Sequence, residues 1–309
     1  KSAKAGFASV QPLGAVTQGL AGEQLANMYG LHEAGCVALS NARTPFKDSY
    51  VLRRAMEYAA TYDIPLFLQP DDVSLSAGGC MHDGPVATRM GLSGISATAE
   101  TIALAQILLM TEQTGARVHI SQISCARSLK MLGNAKDNGI NVTADTPLAN
   151  LVYTEESVQG FNSLFNVQPP LRSEADRQAL LAAVNAGELA ISSNHRPHEI
   201  AAKKAPFADA EAGMSMFDSF LPLALQLAEK GELSLSALIN AVSNRPAAIL
   251  GMEQSLKEES WFNAALIDPQ AVRSVSKSSL YSKGKNSPLN NQDVKGSVSA
   301  VFVDGRRVF

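Results

Sequence analysis

Val118-His119-Ile120-Ser121-Gln122-Ile123-Ser124 is a short, largely apolar run with helical sequence on either side of it. Before it, Ala97–Thr114 carries Glu100 in its first turn and Gly115 just past its end, as helix dipoles and left-handed caps favour. After it, Ala126–Asn138 closes on Gly139 and leads into a second strand candidate, Asn141–Ala144. The alternation continues outward, with strand candidates at Ala8–Leu13, Cys36–Ser40, Pro65–Gln69 and Leu189–Ser193. Helical candidates at Gly22–Ala34, Ser49–Tyr62 and Glu174–Ala186 lie between them. Regular β-α alternation predicts an α/β fold with a parallel sheet and helices outside. Six such units are countable, whereas a closed (β/α)₈ barrel has eight. Further helices are expected at Met216–Lys230 and Ser234–Asn244, then short strands at Asn263–Asp268 and Ser297–Phe309 with a turn at Asp304-Gly305. Val272–Asn291, rich in Ser, Lys and Asn, reads as a surface loop.

Composition narrows the function classes. The 309 residues are 46% hydrophobic with a net charge of −3, which suits one large soluble domain, with or without a small appendage. No apolar run reaches the roughly 18 residues of a membrane span; Ile102–Met110 is interrupted by Gln106 and followed by Glu112. There is no basic block, so nucleic acid is not an expected partner. Cys36, Cys80 and Cys125 are widely spaced and odd in number, which reads as free thiols in a reducing cytoplasm. No signal or transit peptide is visible, and Lys1 is not an initiator methionine.

The chemistry lies at the strand ends. Ile64-Pro65-Leu66-Phe67-Leu68 ends in Gln69, Val118-His119-Ile120-Ser121 in Gln122, and Leu189-Ala190-Ile191-Ser192-Ser193 in Asn194. Three neutral amides stand where a metal hydrolase places ligands, and a carboxamide is a much poorer Zn²⁺ ligand than imidazole or carboxylate. The surrounding stretches read Gln69-Pro70-Asp71-Asp72, His119-Ile120-Ser121-Gln122-Ile123-Ser124 and Ser193-Asn194-His195-Arg196-Pro197-His198. Pro12-Leu13-Gly14-Ala15-Val16-Thr17, Gln168-Pro169-Pro170-Leu171-Arg172 and Tyr281-Ser282-Lys283-Gly284-Lys285-Asn286-Ser287-Pro288-Leu289 complete the set. Over nearly the whole chain these motifs resemble dihydroorotase, a cyclic-amide hydrolase of the amidohydrolase superfamily.

That resemblance implies a metal-dependent-hydrolase-type (β/α)₈ TIM barrel, with strands three to eight in residues 1–255. Residues 256–309 would complete part of a small β-sandwich domain. It also implies that a segment before Lys1 carries the first two barrel strands and a His-x-His motif, without which Ala8–Leu13 and Leu189–Ser193 are open edges. In the family a bound metal activates water for attack on the ring amide. The matching ligand positions here are Ala42 (in the pair Asn41-Ala42), Gln69, Gln122 and Asn194, none of them acidic or imidazole. We therefore expect no metal, no cofactor and no catalysis. Gln69, Gln122 and Asn194 are expected to hydrogen-bond to one another across a polar mouth. Gln168 and His198 match the family's substrate contacts and form a substrate-like pocket, although hydrogen bonding within the strand-eight loop accounts for His198 as well.

The remaining polar residues have plainer readings. His195 is expected to be structural, and strand alternation turns His119 to the opposite face from Gln122. His32 and His82 carry no distinctive signal. Asp71 and Asp72 suit a solvated loop or a helix start, Asp145 follows a strand without histidines beside it, and Cys125 is inert. Met214-Ser215-Met216-Phe217 reads as packing or as a partner contact. Inactive homologues of this family accompany bacterial aspartate transcarbamoylase, so the resemblance implies that partner, an oligomer and a cytoplasmic protein of pyrimidine biosynthesis. The competing readings are an active Zn²⁺-dependent dihydroorotase and a non-catalytic small-molecule sensor.

Overall fold

The computed structural model describes residues 6–252, 258 and 262–309. In chain order, strands β1 (Leu13–Ala15), β2 (Ala38–Ser40) and β3 (Leu66–Leu68) are followed by a small separate pair, β4 (Met81–His82) and β5 (Gly94–Ile95). Then come β6 (Val118–Ile120), β7 (Val142–Pro147) and β8 (Ala190–Ser192). The central sheet runs β1-β2-β3-β6-β7-β8, all parallel, with β1 and β8 at its two ends. Its register puts Phe67 opposite Ser40 on one side and His119 on the other, and Asp145 opposite Ala190.

The helices begin and end where side chains satisfy their free backbone groups. Asp48 accepts from the Val51 N–H to start Ser49–Thr61, Ser96 accepts from Thr98 to start Ala97–Thr114, and Ser173 accepts from Asp176 to start Glu174–Asn185. The second of these stops at Gly115, whose φ of 69° suits a residue without Cβ. Leu52, Ala55, Met56 and Ala59 fall at helical spacing and are buried, as are Leu104, Ile107, Leu108 and Thr111. They pack on Leu39, Leu66, Val118 and Ile120 in one main core. Each large apolar side chain fully buried there contributes roughly 1.5–3 kcal/mol. A second, smaller core joins Met81 and Val86 of the excursion that carries β4 and β5 to Val158, from the segment after β7, and Phe207, from the segment after β8. Among the described residues no helix is long and apolar enough to cross a membrane.

Several expectations shift. Ala8–Pro12 stays outside the sheet and exposed, and the first strand is Leu13–Ala15. Close packing fixes that register: a Cβ on Gly14 would lie 2.6 Å from Leu39 Cδ2. The helix expected over Gly22–Ala34 shrinks to Met28–Glu33 behind an Asn27 cap. Residues 22–26 instead fold back on the strand end, with the Ala26 N–H donating to the Val16 carbonyl. At the C-terminal end, β9 (Ala264–Val275) and β10 (Gln292–Val303) form a long antiparallel ladder, and β11 (Arg306–Arg307) returns across the Asp304-Gly305 turn. The supposed surface loop Val272–Asn291 thus begins as strand. Its remainder buries Leu280, Asn286, Ser287 and Leu289, with Asn286 Nδ2 donating to the carbonyls of Arg196 and Gly213. The domain boundary expected between residues 255 and 256 lies outside the described residues.

Candidate functional site

At the C-terminal ends of the strands, three of the four degenerate ligand positions adopt left-handed backbone. Ala42 has φ 51°, Gln122 61° and Asn194 45°. Such φ values are uncommon for residues with a Cβ, least so for asparagine. Local side chains hold the turns: Ser40 Oγ accepts from the Ala42 N–H at 3.0 Å, and Asp145 Oδ1 from the Gln122 N–H at 3.2 Å.

Onto these turns converges a side chain that the sequence reading passed over. Arg43 Nη2 donates to Gln122 Oε1 at 2.8 Å, to Asn194 Oδ1 at 3.0 Å and to the Gln168 carbonyl at 2.5 Å. Two N–H bonds are therefore shared among three oxygens. Asn194 Nδ2 also donates to the Gln168 carbonyl, at 2.9 Å. The amides do not bond to one another as expected; Gln122 and Asn194 are joined through the arginine. Gln69 makes no hydrogen bond among the described residues, but lines the same space. Asn41 is buried apart from them, accepting from Thr17 Oγ1 at 2.5 Å and donating to the Thr44 carbonyl. Burial first, then the nearby Arg196, pulls the Arg43 pKa down to about 10, against the opposing pull of Asp71. Arg43 remains a cation at neutral pH. The only advance signal was that the charge lost from the ligand positions leaves room for a cation, and Arg43 adjoins Ala42.

The cavity bounded by Arg43, Gln69, Asp71, Gln168 and Arg172 has a volume of about 20 Å³. That is room for about one water molecule. A wider cleft of about 400 Å³ opens on the outer side, lined by Arg43, Lys47, Asp48, Gln69, Asp71 and Gln106. Burial raises the Asp71 carboxyl above its ordinary range, while Asp72 is spent capping the short helix Val73–Ser76.

The structure does not bring His198 together with Gln168. His198 Nε2 bonds to the Ala212 carbonyl at 3.0 Å and its N–H donates to Asn286 Oδ1 at 2.8 Å, so this side chain pins the 212–213 turn. Of Gln168, the backbone carbonyl rather than the side chain meets Arg43 and Asn194. His195 Nδ1 accepts from the N–H groups of Met216 and Phe217, at 2.9 and 3.1 Å. Its ring stacks on Phe217 with centroids 3.9 Å apart. Met214 and Met216 are buried packing residues, and Phe217 is 68% exposed.

Behind the mouth lie two buried polar networks. His119 Nε2 meets Asp145 Oδ2 at 2.9 Å, its Nδ1 meets Thr143 Oγ1 at 2.8 Å, and Ser192 Oγ donates to Asp145 Oδ1 at 2.5 Å. His119 also packs on Phe67. In the second, Glu100, in the first turn of its helix as expected, is a buried anchor. It accepts from the N–H groups of Ser124 and Cys125 and the hydroxyls of Ser124 and Ser128, 3.8 Å from Arg172. Arg172 Nη1 donates to the Ile95 carbonyl at 2.6 Å and lies 3.1 Å from His82 Nδ1, tying β4 and β5 to this network. Burial, then Glu100, pushes the Cys125 thiol up to about 11. Native protein treated with iodoacetamide at pH 8 is therefore expected to be alkylated at half-buried Cys36 well before Cys125. Peptide mass spectrometry checks this, and early labelling of Cys125 would contradict it.

The metal centre that the resemblance implies does not fit these side chains. Its donor set would be three neutral amides and an alanine, and a guanidinium already holds the side-chain oxygens of Gln122 and Asn194. Among the described residues no group of three or more His, Cys, Asp or Glu side chains is placed to hold a metal ion.

A parallel sheet with degenerate ligand turns at its C-terminal ends defines an amidohydrolase-type scaffold. Comparison with known proteins agrees. The sequence model of the Dihydro-orotase-like family matches residues 3–128. A "Dihydroorotase-like protein" of Pseudomonas aeruginosa is 44% identical over 307 residues, covering 99% of this chain and 72% of that one. A "Dihydroorotase" of Pelobacter propionicus is 36% identical over 308 residues, covering 99% and 73%. The solved L-hydantoinase (dihydropyrimidinase) of Arthrobacter aurescens superposes with a TM-score of 0.82 at 20% identity, over 98% of this chain and 71% of that chain. The last likeness concerns the fold. The chain belongs to the dihydroorotase-like family.

Proposed function

We propose that this protein is a catalytically inactive member of that family, acting as a structural subunit beside aspartate transcarbamoylase in pyrimidine biosynthesis. On this reading it is cytoplasmic, part of an oligomer, and carries no metal. The observation that supports inactivity most directly is the Arg43 guanidinium among Gln122, Asn194 and the Gln168 carbonyl. A hydrolase of this type needs an open coordination position and a metal-bound water. Here the converging oxygens are neutral and already occupied by N–H donors. The transcarbamoylase as partner comes from the family resemblance.

The test uses full-length protein. Affinity purification from its own cells is expected to bring down the aspartate transcarbamoylase catalytic chain in stoichiometric amount, with no Zn²⁺ by elemental analysis and no dihydroorotate turnover. A metal-replete, active preparation would establish the active alternative instead. The cleft of about 400 Å³ beside Arg43 supports a second reading, a small-molecule sensor. Its signature is a ligand-dependent rise in the unfolding midpoint, which selective binding to the native state produces.

A further inference from the structure

We infer that the Arg43 side chain is a built-in cationic cross-link that holds the barrel mouth together and bars a divalent metal from it. One nitrogen gathers oxygens from three separate segments: the turn after β6 (Gln122), the loop before the helix Glu174–Asn185 (Gln168) and the turn after β8 (Asn194). Arg43 itself follows β2, which the sheet order separates from β7 by β3 and β6, and from β8 by β3, β6 and β7. The tie therefore crosses the mouth instead of following neighbouring strands, and no backbone ladder duplicates it.

Two further features make the arrangement specific. The left-handed backbone at Ala42, Gln122 and Asn194 sets three of these turns, so the hub is formed by the same backbone irregularities as the ligand positions. A metal held by Gln122 and Asn194 would take the oxygens that the guanidinium already holds, so a second cation would have to sit within a few ångströms of the first. At that range like charges in a poorly hydrated site repel strongly. Among the described residues Asp71 is the carboxylate whose field favours the Arg43 charge, and Arg196 acts against it. Neutral oxygens do most of the holding. Removing the side chain would leave Gln122 Oε1 and Asn194 Oδ1 without their donor, whereas the Gln168 carbonyl keeps the Asn194 Nδ2 donor.

The inference rests on the inactive reading of this centre and is independent of the transcarbamoylase partnership. Its test is made on full-length protein, with Arg43→Ala and Arg43→Lys, and with the set Gln69→His, Gln122→His, Asn194→Asp made with and without Arg43→Ala. Thermal unfolding and Co²⁺ absorption spectra are the readouts. We expect Arg43→Ala to lower the midpoint by several degrees and Arg43→Lys to restore only part of it, because an ammonium lacks the planar fork. The triple variant is expected to stay without metal. Adding Arg43→Ala should raise Co²⁺ affinity by about tenfold or more, the scale on which groups behind a metal site act. If the fourfold variant is unfolded by circular dichroism, Gln122→His with Asn194→Asp, with and without Arg43→Met, gives the same comparison. An unchanged midpoint in Arg43→Ala overturns the cross-link. Co²⁺ uptake with Arg43 in place, or none after its removal from a folded variant, overturns the barrier.

Discussion

Glu100→Ala is expected to lower the unfolding free energy by roughly 3–5 kcal/mol, the scale seen when one member of a buried charged pair is removed. Glu100 is 4% exposed and Arg172 3%. Truncation removes the acceptor for the N–H groups of Ser124 and Cys125 and for the hydroxyls of Ser124 and Ser128. It also leaves the Arg172 guanidinium without its carboxylate. The loop after β6 loses its anchor at the start of the helix Ala126–Asp137, and the β4–β5 excursion loses the far end of its tie. Urea unfolding reads the change as a lower midpoint at constant m-value. A loss below about 1 kcal/mol, the level of an ordinary surface substitution, would show that the network is incidental.

Asp145→Ala is the second large effect, about 3 kcal/mol. The carboxylate joins three neighbours: His119 on β6, Ser192 on β8 and the Gln122 N–H in the turn after β6. Each buried donor left without an acceptor costs about 1–3 kcal/mol. Because two strands and a left-handed turn share this one side chain, its loss is expected to couple with His119→Ala. A double-mutant cycle should return an interaction energy of about 0.5–3 kcal/mol. Strict additivity would mean that His119 is held by Thr143 and Phe67 alone.

The alternation of apolar runs with capped helical stretches was readable directly. Val118–Ile123 and Leu189–Ser193 contain the observed strands and Asn141–Ala144 overlaps the first half of β7, with bounds that differ by up to three residues. Helix caps carry their own chemistry, which is why Ser49–Thr61 and Ala97–Thr114 were found nearly to the residue. The failures were elements whose limits are set by distant packing. Ala8–Leu13 has the composition of a strand, yet only the close approach of Gly14 to Leu39 says where the strand starts. Gly22–Ala34 has helical composition, but its first residues pair with the strand end. The polar stretch 276–291 looked solvated, and was drawn inward because Asn286 can bond three backbone groups of the strand-eight loop at once.

The candidate site divides in the same way. The loss of acidic and imidazole groups at Ala42, Gln69, Gln122 and Asn194 is a property of residue identity, and it was determined by the sequence alone. Family membership followed equally from motifs such as Gln168-Pro169-Pro170-Leu171-Arg172, since local identity is what they record. What fills the place of those groups was decided by the tertiary structure. Arg43 lies 79 positions from Gln122 and 151 from Asn194, and nothing local in the sequence reports a hydrogen bond across such separations. The same holds for Glu100 with Ser124 and Arg172, which meet only because a helix end, a strand end and a loop are packed into one buried volume. Hydrophobic periodicity encodes which face of an element is buried. It carries no information about which polar group awaits there, because that partner arrives from another part of the chain.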